Sequence, residues 1–246
     1  MTQNNDDEFR TENKELDNSF RQKSPVQLEK TADTTITDEQ PQTEALVDNL
    51  LTWLNEIPAQ KPVKWEQLPD IGLYMDQVVT YVDRQLSLHS KTAEKYNVTS
   101  AMINNYIKAG LLPRANQKKY NLNHLALLTI IGALKPVLSI QELQIMLENN
   151  KTEAEVATLY SRFLQEQQAA VNETNEIVSA RINQLTKTCA ESDTSLQFEL
   201  QQLAMDLAID ARVRILVAGQ ILAAVEEVNN IAKTEKPSTH EKNRRK

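Results

Sequence analysis

The sequence predicts an all-α (mainly helical) protein that ends in two long helices. Three observations carry that reading. Only 4 of the 246 residues are Gly and 8 are Pro. That is too few for a fold built on tight turns, because turns with φ > 0 call for Gly. Apolar residues recur at spacings of three and four rather than two. Three boxes of the Ser/Thr-x-x-Glu/Gln type (Ser139 with Glu142, Thr152 with Glu155, Thr194 with Gln197) mark helix starts.

Residues 1–42 read as a disordered acidic tail. They hold eight apolar residues, and ten acids against five bases. Such a segment buries too little surface to offset its ordering entropy. Residues 43–67 form an N-terminal helix and connector. Leu46, Val47, Leu50, Leu51 and Leu54 repeat at helical spacing, and Pro58 ends the run. Trp53 and Trp65 are expected to pin this arm onto the domain as core anchors. A second helix covers 74–86, with Val78, Val79 and Val82 on one face.

Thr99 is an N-cap for a short helix through Ala109, and Gly110 stands where a left-handed C′ residue would stop it. Leu111, Leu112 and Pro113 follow, then a basic excursion over 114–119, and Tyr120 returns to the core. A further apolar helix spans 122–135 and stops at Pro136. Ser139 opens the next one. Ile103, Tyr106, Leu111, Leu112, Tyr120, Leu125 and Leu128 are assigned to the core, and Met102 fits either inside or outside.

Residues 151–232 are a C-terminal helical region for dimerisation or effector binding. Thr152 starts a long helix carrying Val156, Leu159, Phe163, Val171, Val178, Ile182 and Leu185. A turn falls at 189–194, and a last helix runs to Ile231. Its apolar residues exceed one narrow face, so it must be covered on several sides. The expectation is a homodimer through this region, with room for an unknown small-molecule effector between the long helices. Residues 233–246 hold six bases and two acids and read as a basic disordered tail.

Composition excludes several function classes. One cysteine, Cys189, makes no intramolecular disulfide. The three histidines are scattered without metal-ligand spacing, and no GxGxxG, P-loop, HExxH or GxSxG motif occurs. No metal, cofactor or enzymatic activity is therefore expected. His124 is read as a helix-start or surface residue rather than a general base. The N-terminus has no basic region followed by an apolar one, and no apolar run reaches the ~20 residues that cross a bilayer. The expectation is a cytoplasmic protein without membrane contact.

Charge distribution points elsewhere. Between Lys91 and His124 lie six bases and one acid, a net +5 that leaves −12 for the rest of the chain. A basic island in an acidic protein is a plausible polyanion footprint. Helix, Gly stop, Leu-Leu-Pro, basic loop, Tyr and two apolar helices is the layout of a winged helix-turn-helix.

Residues 99–113, TSAMINNYIKAGLLP, resemble the recognition segment of mercury-resistance-regulator (MerR) type proteins, approximately T-x-x-x-I-R-Y-Y-E-x-x-G-L-L-x-P. Residues 118–125 resemble their R-x-Y-x-x-x-D-L, and 138–143 their F-S-L-x-E-I. The chain is also similar, over about 45–150, to an uncharacterised domain-of-unknown-function family of Gram-positive bacteria. That likeness rests on Leu68-Pro69-Asp70-Ile71, residues 73–78, 102–106 and 118–120, Lys135 and residues 138–140. It implies a MerR-like winged helix-turn-helix over 68–150 but brings no activity of its own. Asn104 and Asn105 stand where MerR-type proteins have Arg and Tyr. The stretch between Met75 and Val98 is also longer than the compact MerR first helix and turn.

The resemblance implies a transcriptional regulator that binds duplex DNA as a dimer. Ser100, Asn104 and Asn105 would face bases, since Asn can read an adenine edge bidentately. Lys108, Arg114, Lys118 and Lys119 would hold phosphates. The alternative is a protein-interaction module on a helix-turn-helix scaffold that no longer binds DNA, which the two asparagines favour.

Overall fold

The computed structural model describes residues 39–59, 62–86, 98–150, 152–191 and 194–234. Among them the chain is all-α, with helices α1 (Glu39–Glu56), α2 (Met75–Leu86), α3 (Ser100–Lys108), α4 (Leu122–Leu134), α5 (Ile140–Leu147), α6 (Glu153–Ala190) and α7 (Leu196–Thr234). The connector between α1 and α2 holds a 3-10 turn, Trp65–Gln67. No strand occurs among the described residues, and only two isolated antiparallel bridges form, Leu73 with Tyr120 and Asn116 with Lys119. The tails expected to be disordered fall mostly outside the described residues. α1 starts at Glu39, inside the first of them, and its Pro41 lies in the first turn, where a missing N–H costs nothing. α7 extends to Thr234, just inside the second.

The main core is built around α4. Its residues His124 to Ile131 are buried without interruption, so the helix must be covered all round. α2 and α6 pack on it. Val78, Val82, Ile103, Tyr106, Leu111, Leu112, Tyr120, Leu143, Val156 and Tyr160 complete the cluster. All seven residues assigned to the core from sequence are buried here. Tyr160 is fully buried, and its hydroxyl donates to the Val63 carbonyl at 2.7 Å, tying α6 to the connector. Trp65 packs on this core, its ring 6.3 Å from that of Tyr160.

A second, smaller core lies elsewhere along α6. Val47 and Leu54 of α1 meet Val178 and Ile182 of α6, with Trp53, Leu200 and Leu203 around them. The two tryptophans thus anchor in different cores. α6 is long enough to serve both, with Tyr160 in one and Ile182 in the other.

The helix starts follow the capping chemistry. Ser139 and Glu142 cap each other reciprocally, at 2.7 and 3.2 Å, and so do Thr152 and Glu155, at 2.8 and 3.3 Å. The start of α4 uses an unexpected partner. Asn121 Oδ1 accepts from the His124 N–H at 3.4 Å, while the Asn121 N–H donates to His124 Nδ1 at 3.2 Å. His124 is therefore at a helix start, as expected, but it is not a surface residue, with only 5% of its area exposed.

Candidate functional site

Of the basic island of the sequence, Lys108 falls on α3 and Arg114, Lys118 and Lys119 on the segment that follows it, while Lys91 and Lys95 lie outside the described residues. Thr99 caps α3 by accepting from the Met102 N–H at 3.2 Å. Ile103 and Tyr106 hold the helix to the core, while Met102 is half-buried. The opposite face is exposed and consists of Ser100, Ala101, Asn104, Asn105 and Lys108, one, three or four residues apart. It presents a hydroxyl, two carboxamides and an ammonium, with no carboxylate.

The end of α3 is closed on both sides. Gly110 takes φ 74°, and the Leu111 and Gly110 N–H groups bond to the carbonyls of Tyr106 and Ile107, a Schellman arrangement. Leu111 and Leu112 then turn inward. The side-chain amide of Gln144 on α5 donates to the Ala109 carbonyl, the C-cap of α3. α5 thereby fixes the far end of the helix that carries the asparagines.

Arg114 is exposed on the way to a tight turn. Asn116 and Lys119 exchange backbone hydrogen bonds at 3.1 and 2.8 Å, leaving Gln117 and Lys118 as the two central residues. Both have positive φ, 49° and 64°. Hairpin turns of this kind favour Gly or Asn. A side chain at φ > 0 costs about 1 kcal/mol or more at each position. Two long polar side chains are kept at the tip in spite of that strain. Lys118 is exposed and makes no ion pair among the described residues.

Lys119 is held differently. The Leu73 and Tyr120 backbones exchange hydrogen bonds at 2.9 Å, which lays the base of the turn beside residues 72–74. Gly72 leaves room for the Lys119 stem, since a Cβ there would stand 2.8 Å from Lys119 Cβ. The ammonium lies 5.8 Å from the centre of the Tyr74 ring, within cation–π range. Tyr74 and the neighbouring Ile71 are themselves exposed. Sequence reading missed Tyr74 and Gln144 because their partners lie far along the chain.

His124 sits under this turn. Its ring meets Tyr120 edge-on at 5.2 Å, and its Nε2 is buried without a hydrogen-bond partner. Burial holds the imidazole below the usual histidine range, outweighing the neighbouring backbone of Arg114 and Pro113, which favours the charged form.

The seven residues singled out from sequence thus fall in two groups. Ser100, Asn104, Asn105 and Lys108 share one face of α3. Arg114, Lys118 and Lys119 belong to the segment after it, with Lys119 laid over Tyr74. Among the described residues no cluster of His, Cys, Asp and Glu suits a metal ion, and no helix is long and apolar enough to cross a membrane. Residues 63–163 match a domain of unknown function (DUF1836). The match runs from Val63, the acceptor of the Tyr160 hydroxyl, to Phe163 at the edge of the main core. No curated protein and no solved structure matches the chain.

Proposed function

We propose that the domain of unknown function at residues 63–163 is a MerR-like winged helix-turn-helix that binds duplex DNA in transcription control. In this reading α3 enters the major groove and the 114–119 segment is the wing. Ser100, Asn104 and Asn105 face base edges; Lys108, Arg114 and Lys118 hold phosphates, joined by Lys119 once it leaves the Tyr74 ring. The protein acts in the cytoplasm as a homodimer through residues 152–232.

One observation carries the reading most of the way. Gln117 and Lys118 occupy strained φ > 0 positions at an exposed tip where Gly would be more stable. Strain kept at the exposed Lys118 points to a use for that side chain, and a basic tip needs only charge and reach to grip a phosphate. The adjoining α3 face agrees, because its amides and hydroxyl suit base edges and no carboxylate repels the backbone.

The test is binding of the full chain to labelled genomic duplex fragments across a salt series. Specific and random DNA should both bind more weakly as salt rises. Arg114→Ala with Lys118→Ala should weaken both and flatten the log K against log salt slope by about 0.9 per lost phosphate contact. The second reading, a protein-interaction module without DNA binding, draws on the uncharged Asn104 and Asn105 and on the parked Lys119. It predicts no salt-dependent affinity for any duplex.

A further inference from the structure

The second half of α4 borders a cavity of 260 Å³ that neither α3 nor the 114–119 segment lines. Four parts of the chain wall it. They are Pro62 of the connector, the last turn of α2, α4 with the two residues after its C-cap, and Phe163 and Gln167 of α6. These walls are tied together. The Val63 N–H donates to Gln85 Oε1 on α2 at 3.3 Å, and the Val63 carbonyl accepts from the Tyr160 hydroxyl on α6 at 2.7 Å. The connector beside Pro62 is therefore fixed to both helices. Gly132 lets Leu86 lie against α4, since a Cβ there would run into Leu86 Cδ1. Phe163 packs on the main core. Ligand sites are usually formed in advance in this way, between elements that the fold already holds.

The lining is mostly apolar, with three polar side chains and no charged one. Leu86, Ala133, Pro136, Val137 and Phe163 supply apolar surface, and Val137 is 43% exposed, so a molecule in the cavity also covers it. Thr129 is buried, and its hydroxyl proton goes to the Leu125 carbonyl at 2.8 Å. The oxygen is left to accept. Gln85 takes the Val63 N–H on Oε1, so its NH2 group is left to donate. Gln167 brings a second carboxamide. An ion would enter without a partner of opposite charge, which costs far more than burying a neutral group. An apolar cavity of about 150 Å³ already holds benzene, so 260 Å³ admits one ring with a polar substituent.

We propose that this cavity binds a small neutral aromatic molecule whose polar group both accepts and donates a hydrogen bond, as a carboxamide does. The ring lies among Leu86, Ala133, Val137 and Phe163. The NH2 groups of Gln85 and Gln167 donate to its acceptor, and its donor meets Thr129 Oγ1. An effector was expected between the two long helices, whereas this site uses α6 with α2 and α4 and takes nothing from α7. It stands independently of the DNA-binding reading, because none of the residues assigned to DNA lines it.

Benzamide is the probe, with benzoate and benzamidinium as charged analogues of the same shape. Ligand-observed NMR titration of the full chain should give a benzamide Kd of about 1 mM or tighter. Both ions should bind about tenfold more weakly or worse. Ala133→Leu fills the cavity and should abolish benzamide binding with unchanged far-ultraviolet circular dichroism. Gln167→Leu, at a half-buried position on α6, should weaken benzamide about fivefold by removing one hydrogen bond. A wild-type chain that does not bind benzamide overturns the site. So does equal affinity for benzamide and the two ions, which would mark nonspecific adsorption. Benzamide binding that survives Ala133→Leu in a folded chain places the probe elsewhere and overturns the site as well. Where Ala133→Leu unfolds the chain, Gln167→Leu decides, and unchanged affinity in that variant overturns the site.

Discussion

Lys119 lies along Gly72 and ends over the face of Tyr74, with its ammonium 5.8 Å from the ring centre. A residue expected from sequence to reach outward is therefore laid along its own domain, and the glycine is what permits it. Gly72→Ala would put a methyl group 2.8 and 2.9 Å from Lys119 Cβ and Cδ. The near atom is the root of the side chain, so the strand-like pairing of Leu73 with Tyr120 must shift. A loss of about 1–2 kcal/mol is expected in urea unfolding. Tyr74→Leu should cost less stability and leave Lys119 freer.

The tip of the same turn should respond in the opposite sense. Gln117→Gly relieves one φ > 0 position and should raise stability by up to about 1 kcal/mol, read as a higher Tm. It should leave DNA affinity nearly unchanged. Lys118→Gly should raise stability in the same way but lower affinity for specific and random DNA together. An equal effect of both changes on DNA would count against Lys118 as a phosphate contact.

His124 gives a pH dependence with a defined sign. Its folded-state pKa is below the ordinary 6.5, chiefly through burial. The unfolded chain therefore takes up a proton that the folded chain resists. Stability from this residue is complete above about pH 6.5 and is lost as pH falls from there toward the folded-state value. The urea midpoint should fall between pH 7 and pH 5, and His124→Gln should flatten that dependence. A wild-type midpoint that rises on acidification would contradict the assignment.

Legibility in the sequence followed the range of the interaction. The ends of α3 were readable because Thr99 and Gly110 act on backbone within a turn of themselves. The starts of α5 and α6 were readable for the same reason, through Ser139 with Glu142 and Thr152 with Glu155. The start of α4 was only half readable, since His124 fills a place that usually holds Glu or Gln. Lys119 with Tyr74 and Gln144 with Ala109 were not readable. Each joins residues more than thirty positions apart, and no periodicity records such a meeting. Apolar excess in α7 was visible, but which side α5 covers depends on tertiary packing.

The exposed face of α3 should tolerate change. Asn104→Ala and Asn105→Ala leave the Ile103 and Tyr106 anchors untouched, so Tm should move little. If either side chain reads a base, discrimination between DNA sites should fall by about 1–3 kcal/mol while the salt slope stays the same. Competition binding with specific and scrambled duplexes measures it. An equal loss of affinity for specific and scrambled duplexes would place these residues on phosphates instead.

The most direct measurement is the salt dependence of duplex binding by the wild-type chain, repeated with Arg114→Ala and Lys118→Ala. The expected result is affinity that falls steeply with salt, with a slope flattened by about 0.9 for each contact removed. A wild-type chain with no salt-dependent affinity for any duplex would contradict the DNA-binding account and leave the protein-interaction reading in its place.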